Sequence, residues 1–449
     1  GGRHQRPRNM KFVALTLALG IASALAGAPP TPESAFNDAG YIDVHDGEHH
    51  LFYWYFESRD DPANDPVILW MSGGPGCSSS LALFGENGPL VVNDDLSLDV
   101  NEQSWNANAT VIWVDQPVGT GFSYGGKLHS EDQVEDDMYE FLQGWFAKYP
   151  QYAANDFHIF GESYAGHYVP VVAQTVMQRG GFNLKGAAIG NGLTDPAEQY
   201  KWYLPYAQDA SNPLEVSDGT EALMAGALKI CEPMITGCNY NGSRPNLDDS
   251  TGEVIDWVLC LNAYTLCNIG LITPVQMSGV NPYDVRRQCG SDPLCYDFSA
   301  IDGYLNQDDV KEALGVTGEW AECSHLVDLI MVYGGDWMKE FQDRVTDLLD
   351  GGVDVLVYAG EYDFICNWLG NKAWTQTLPW SGATEYANAV NTTWTTASGD
   401  VAGSFLSGGG MTFLKVFDAG HMVPRDQPEN ALDMVLKHIN GFFNTKNDE

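Results

Sequence analysis

A strand that turns through a serine into a helix is the feature this chain has to be built around. Phe157-His158-Ile159-Phe160 reads as a short buried strand. Gly161-Glu162-Ser163-Tyr164-Ala165-Gly166 follows, and then an apolar helical run from Tyr168 to Met177. Residues without bulk around a serine, between strand and helix, are what a nucleophile elbow requires. The tight turn exposes the hydroxyl at the carboxyl edge of a sheet and aims a helix N-terminus at it. The fifth place of the G-x-S-x-G pattern holds Ala165, with Gly166 one later. Read alone, the stretch is equally a strand-to-helix turn with a serine cap.

The flanking segments repeat the alternation. Tyr41 to Val44 and Leu51 to Glu57 read as an antiparallel hairpin broken at Asp46-Gly47. Val67 to Met71 is a buried strand that discharges into Ser72-Gly73-Gly74-Pro75-Gly76-Cys77-Ser78, which leaves bare backbone N–H groups near its end. No lysine follows at P-loop spacing, so a phosphate loop is not expected. Ala109 to Val114 is a further strand, and Glu131 to Tyr149 is amphipathic at helical spacing. Gly186 to Gly190 is another strand, and the alternation predicts an α/β fold with a mostly parallel sheet and helices on both faces. From about 198 to 327 strands are hard to find and cysteines crowd, which predicts a helical, disulfide-rich insertion over the sheet's carboxyl edge. The expected division is upstream residues and signal peptide over 1–28, core over 34–197, cap over 198–327 and core again over 328–449. In the last part a helix is expected over Trp337–Leu349, and strands over Val353–Ala359 and Phe413–Phe417.

Composition narrows the partners. With 60 acidic against 22 basic side chains the formal charge is −38, so nucleic acid and anionic membrane surfaces are improbable partners. Met10-Lys11 precedes an apolar run from Phe12 to Ala26 that ends in small residues, the pattern of a secretory signal. No other long apolar stretch is evident, and no membrane span is expected. Nine cysteines suit that oxidising route, and the odd count leaves at least one thiol unpaired in a monomer. Sequons at Asn108, Asn241 and Asn391 predict glycans on exposed loops. No C-x-x-C occurs, and His49-His50 has no partner cluster in the sequence, so neither metal nor other cofactor is expected.

Three residues fall on loops after three separate strands, in the order Ser163, Asp363, His421. That is the α/β-hydrolase order of nucleophile, acid and base. His421 would take the proton of Ser163 as it attacks a carbonyl, and Asp363 would fix the imidazole tautomer. His167, four residues after Ser163, is a rival base, but on the helix leaving the elbow its ring would point along the helix.

Trp70 to Ser79, Gly161 to Gly166 and Gly420-His421-Met422-Val423-Pro424 resemble the serine carboxypeptidases, and the likeness runs from about Tyr41 to Phe443. The resemblance implies hydrolysis at peptide and protein C-termini. It implies an oxyanion hole from the N–H groups of Gly74 and Tyr164, and a site for the terminal carboxylate at Trp70, Glu86 and Glu162. Two carboxyl groups can hold a carboxylate only while protonated, so an acidic optimum follows from the chemistry. Substrate contacts are implied for Ser72, Trp337, Ile365, Cys366 and Met422 as well. The family usually has Asn where Ser72 stands, and Gly85 replaces a bulky residue, which predicts a wider leaving-side pocket. For cysteines the resemblance implies Cys77–Cys323, Cys231–Cys267, Cys238–Cys260 and Cys289–Cys295, with Cys366 free. An acyltransferase of the same fold, or a non-catalytic partner protein, are the alternatives. Only a peptidase needs Glu86 and Glu162 to read a peptide end.

Overall fold

The computed structural model describes residues 1, 33, 35–128, 130–239, 249–292 and 294–443. In chain order its strands are β1 (Asn37–Val44), β2 (His49–Phe56), β3 (Val67–Met71), β4 (Leu90–Val92), β5 (Leu98–Val100), β6 (Thr110–Val114) and β7 (Tyr124–Gly125). There follow β8 (Phe157–Glu162), β9 (Leu184–Gly190), β10 (Asp354–Gly360), β11 (Thr392–Thr395), β12 (Val401–Gly408) and β13 (Met411–Val416). All but β4 and β5 form one sheet in the order β1-β2-β6-β3-β8-β9-β10-β13-β12-β11, with β7 alongside β2. From β6 to β13 every neighbouring pair is parallel, and the pairs outside that run are antiparallel.

A parallel strand must be apolar on both faces, and these are. Along β3, Val67, Leu69 and Met71 face one core while Ile68 and Trp70 face the other; β10 divides Val355 and Val357 from Leu356 and Tyr358 in the same way. The first core is closed by the helices Glu131–Lys148, Ala165–Arg179 and Gln342–Asp350, through Met138, Phe141, Leu142, Trp145, Val169, Val172 and Val345. The second is closed by Ser80–Gly85, Ser299–Leu305, Asp308–Leu314 and Pro428–Ile439. Each fully buried large apolar side chain contributes about 1.5–3 kcal/mol over its exposed state.

The inserted segment divides between two places. Helices Asp218–Cys238 and Asp249–Cys267 lie against one another, stapled by Cys231–Cys267 and Cys238–Cys260. The stretch from Tyr296 to Trp320 instead fills the second core. Cys77–Cys323 and Cys289–Cys295 complete the bridges, and Cys366 is free and buried.

Two expectations need correction. Asp256–Gln276, with mean hydropathy 1.5, is long and apolar enough to cross a membrane, contrary to the expectation of no such run. Here one face packs inward, with Cys260, Ala263, Cys267, Leu271 and Ile272 buried, while Trp257, Val258, Leu266 and Ile269 stay exposed. The helix expected from Trp337 begins only at Gln342. Asp336–Met338 is a single 3-10 turn and Lys339 is extended, because Asp336 is drawn into bonds with Tyr164 and His167 behind the elbow.

Candidate active site

Ser163 has a φ of +67°, a conformation that costs an L-residue about 1–2 kcal/mol. Backbone bonds hold it there. Its N–H donates to Gly190 O at 3.0 Å, and its carbonyl accepts from Gly166 N at 2.9 Å and Leu193 N at 3.0 Å. Side chains would break this packing on both sides. A Cβ on Gly161 would stand 2.6 Å from Met71 O, and one on Gly166 2.5 Å from Leu193 O. The second glycine therefore belongs at 166, where the β9 loop crosses, and Ala165 fits beside Gly161. The helix starts at Ala165, earlier than its apolar run indicated, and so points its N-terminus at the serine.

The two other residues come off the ends of β10 and β13. A Cβ on Gly360 would lie 1.9 Å from Gly420 O, so the two loops touch backbone to backbone there. His421 N donates to Tyr283 O at 2.7 Å, and the rings lie 5.1 Å apart. His421 Nδ1 is 2.8 Å from Asp363 Oδ2. The same Oδ2 accepts from Asn191 Nδ2 at 2.8 Å, and Asn191 Oδ1 accepts from Gly360 N at 3.3 Å. Asn191 is a residue that the sequence reading passed over. Its fully buried side chain joins β9, β10 and the acid. The available signal was an asparagine straight after a buried strand, where its φ of +43° suits that residue type.

Ser163, His421, Glu86, Glu162, Ser72, Gly73, Gly74 and Met422 line one cavity of about 60 Å³. On its other side Ser163 opens with Gly74, Tyr164, Trp337, Ile365 and Cys366 onto a cleft of about 510 Å³, walled by Tyr200, Tyr203, Tyr264 and Ile272. Gly74 and Tyr164 thus both line the space before the serine. A Cβ on Gly73 would come 2.4 Å from Tyr164 N, so the glycine loop is pressed against the elbow backbone.

Glu86 and Glu162 lie within hydrogen-bonding reach of one another, and one oxygen of each is buried without a partner. Burial pushes the Glu86 carboxyl up to about 7. Burial, and then the charge of Glu86, hold Glu162 well above the usual carboxylate range. Trp70 does not line the cavity. Its ring is buried and its Nε1 donates to Ser72 Oγ at 3.1 Å, which orients that hydroxyl. A Cβ on Gly85 would reach ordinary contact distance, 3.4 Å, from Arg425, Ile301 and Phe298, and Gly85 lines with them a separate pocket of about 450 Å³.

His167 is buried against Asp336, Nδ1 to Oδ2 at 3.1 Å, and the Tyr164 phenol donates to the same oxygen. It braces the elbow from behind. Burial holds the Cys366 thiol well above its ordinary range, so it stays protonated beside the site. Asn391 is exposed and Asn108 half-buried, with its amide donating to Asp60, while Asn241 lies outside the described residues.

The family model described as serine carboxypeptidase matches residues 29–441. Carboxypeptidase Y of Komagataella phaffii is 44% identical over 412 residues, covering 90% of this chain and 76% of the relative. Carboxypeptidase Y of Saccharomyces cerevisiae is 46% identical over 414 residues, covering 90% and 75%. Among solved structures, a prohormone-processing carboxypeptidase from Saccharomyces cerevisiae superposes with a TM-score of 0.76 at 25% identity, over 93% of this chain and 94% of that one.

Proposed function

The chain belongs to the serine carboxypeptidase family, and from that premise we propose a mechanism in which peptides lose their C-terminal residue through an acyl-enzyme on Ser163, fastest at acid pH. It is a serine-type carboxypeptidase with the α/β-hydrolase fold. Its four disulfides fit the oxidising secretory pathway. The chain divides into a core over 34–197 and 328–449 and an insertion over 198–327, of which the stretch from Tyr296 to Trp320 packs into the second core.

His421 takes the Ser163 proton as the oxygen attacks the scissile carbonyl, and Asp363 stabilises the imidazolium that results. The carbonyl oxygen, now anionic, is held by the N–H groups of Gly74 and Tyr164. His421 then gives the proton to the leaving amine, the acyl-enzyme remains on Ser163, and water reverses the sequence. The acyl side of the peptide lies in the 510 Å³ cleft with Trp337, Ile365 and Cys366, and the departing residue sits by Met422. Its carboxylate is bound by Glu86 and Glu162, with the Ser72 hydroxyl oriented toward it by Trp70.

The observation that carries this reading is the pair of buried carboxyls in the same cavity as Ser163 and His421. A carboxyl with a raised pKa keeps its proton in acid and donates it to the incoming carboxylate. Above about 7 the Glu86 proton is lost, and the pair becomes an anion that repels it. KM for free-ended peptides should therefore rise as pH climbs through neutrality. Peptide amides and esters have no charged end, and their hydrolysis should persist above pH 7. The experiment is a pair of pH–rate curves, peptide and amide, on wild type and on the Glu86→Gln, Glu162→Gln double variant. Superimposable curves in the wild type would overturn the assignment.

A further inference from the structure

Asp363 and His421 stand on loops that leave β10 and β13, and both loops rest on one short stretch of the inserted segment, residues 281–287. Its backbone grips the neighbours of the acid on either side. Pro282 O accepts from Phe364 N and from Ile365 N, each at 3.0 Å, and Val285 N donates to Tyr362 O at 3.0 Å. Between these, Tyr283 O accepts from His421 N at 2.7 Å. A Cβ on Gly420 would lie 2.6 Å from Tyr283 O and 2.9 Å from Asp284 Cβ, so the base loop comes this near only with glycine there. The stretch is closed on itself, with Asn281 N donating to Arg287 O at 3.0 Å and Tyr283 N to Asn281 Oδ1 at 2.8 Å.

Its charged side chains extend the same grip. Asp284 is wholly buried, and its two oxygens accept from Arg286 Nε at 2.8 Å and Arg286 Nη2 at 2.9 Å. Arg287 Nε lies 2.8 Å from the second oxygen. From that anchor Arg286 reaches the base loop twice, Nη1 donating to Asp418 O at 3.0 Å and Nη2 to Asp426 Oδ2 at 3.4 Å. Asp426 Oδ2 also accepts from the N–H of Gly420, the residue before His421, at 2.7 Å. The guanidinium reaches the acid loop as well, since it lies 4.6 Å from the centre of the ring of Tyr362, the residue before Asp363. A planar fork with five donors and a stackable face can make these contacts at once, which an ammonium cannot.

We propose that Arg286 is a positioning residue for the reaction, locking the acid loop and the base loop to one template and so setting the bond between Asp363 and His421. This rests on the acyl-enzyme mechanism given above. Arg286 lines neither the acyl-side cleft nor the leaving-side cavity, so it acts on turnover and not on substrate binding. The inserted segment thereby takes part in aligning the catalytic pair that the two halves of the core supply.

The test compares wild type, Arg286→Met and Arg286→Lys in kcat and KM, and in the rate at which an organophosphonate labels Ser163. Methionine keeps an apolar stem over Tyr362 and removes the donors, while Arg287 still pairs with Asp284, so no buried charge is left alone. Misplacing a catalytic group from a distance is costly, so Arg286→Met should lower kcat at least about tenfold, on peptides and amides alike, with KM held within about twofold. Labelling should slow by the same factor, because it needs His421 aligned but neither substrate pocket. Arg286→Lys keeps the charge and one donor and should fall between, about threefold or more below wild type, and it carries the test alone if the first variant does not fold. A lower melting temperature with kcat and labelling rate at wild-type values would make the role structural only and overturn the proposal, as would a rise confined to KM. Ser163→Ala, assayed alongside, keeps the two readings apart: turnover that survives it refutes the acyl-enzyme, whereas turnover lost in it and unchanged in Arg286→Met refutes the positioning role alone.

Discussion

At the scale of single residues the site is a chain of orientations ending at one oxygen atom. Ser163 is held in an unfavourable backbone conformation, His421 is aligned by Asp363, and Asp363 is aligned by Asn191. Ser163→Ala should lower kcat by about 10⁴–10⁶ and leave substrate binding largely intact, measured on purified protein with a blocked dipeptide. Undiminished turnover would remove the serine from the mechanism. Asn191→Gly keeps the positive φ and deletes only the amide. Loss of a hydrogen bond to a charged group is worth about 1.5–3 kcal/mol, so kcat should fall by roughly 10- to 100-fold with KM little changed. A wild-type kcat would mean that His421 and the backbone position Asp363 without help.

At the scale of elements, the elbow and the glycine loop after β3 form one rigid body. Gly73 has no room for a side chain because its α-carbon lies against the peptide between Ser163 and Tyr164. Gly73→Ala must push the two segments apart, so kcat should drop by at least about 100-fold, the cost of one lost oxyanion donor. The loss should be shared by peptide and amide substrates, because both need the same hole. A loss confined to free-ended peptides would place the damage in the carboxylate site instead. The strand pattern was legible wherever both faces of a strand are buried, since β3, β8 and β10 are short continuous apolar runs. The last two strands of that side escaped because edge strand β11, Thr392–Thr395, is polar and partly exposed, and β12, Val401–Gly408, mixes glycines and serines with few large apolar residues.

At the scale of the whole molecule, buried titratable groups oppose one another. Burial raises Asp115 to about 6, and Asp195 and Glu86 to about 7, and it raises Glu131 and Glu162 as well. A raised carboxyl contributes stability that is complete below its unfolded value near 4 and is lost as pH climbs through the folded value. Burial lowers His158 to about 3 and His438 to about 4, and these withdraw stability as pH falls below about 6.5. The carboxyls are more numerous, and the formal charge of −38 adds self-repulsion as pH rises. Melting temperature should therefore peak near pH 5 and decline steadily toward pH 8 in a buffer series. A midpoint that rises from pH 5 to pH 8 would mean that the histidines govern.

What the sequence determined by itself is the chemistry and its order along the chain. Serine, aspartate and histidine each stand after an apolar run, glycines stand where backbone must pass backbone, and paired glutamates flank the glycine loop and the elbow. Those are local properties, written in residue type and spacing. Only the tertiary structure decided which distant groups meet. Asn191 reaches Asp363 because β9 and β10 are neighbours in a sheet, although 172 residues separate them. Asp336 breaks its own helix to brace Tyr164, and His45 joins His49 only because a left-handed turn folds it onto Asp137. Burial likewise sets the charge of Glu86 and Glu162, since the same carboxyls in water would ionise in acid and lose their protons.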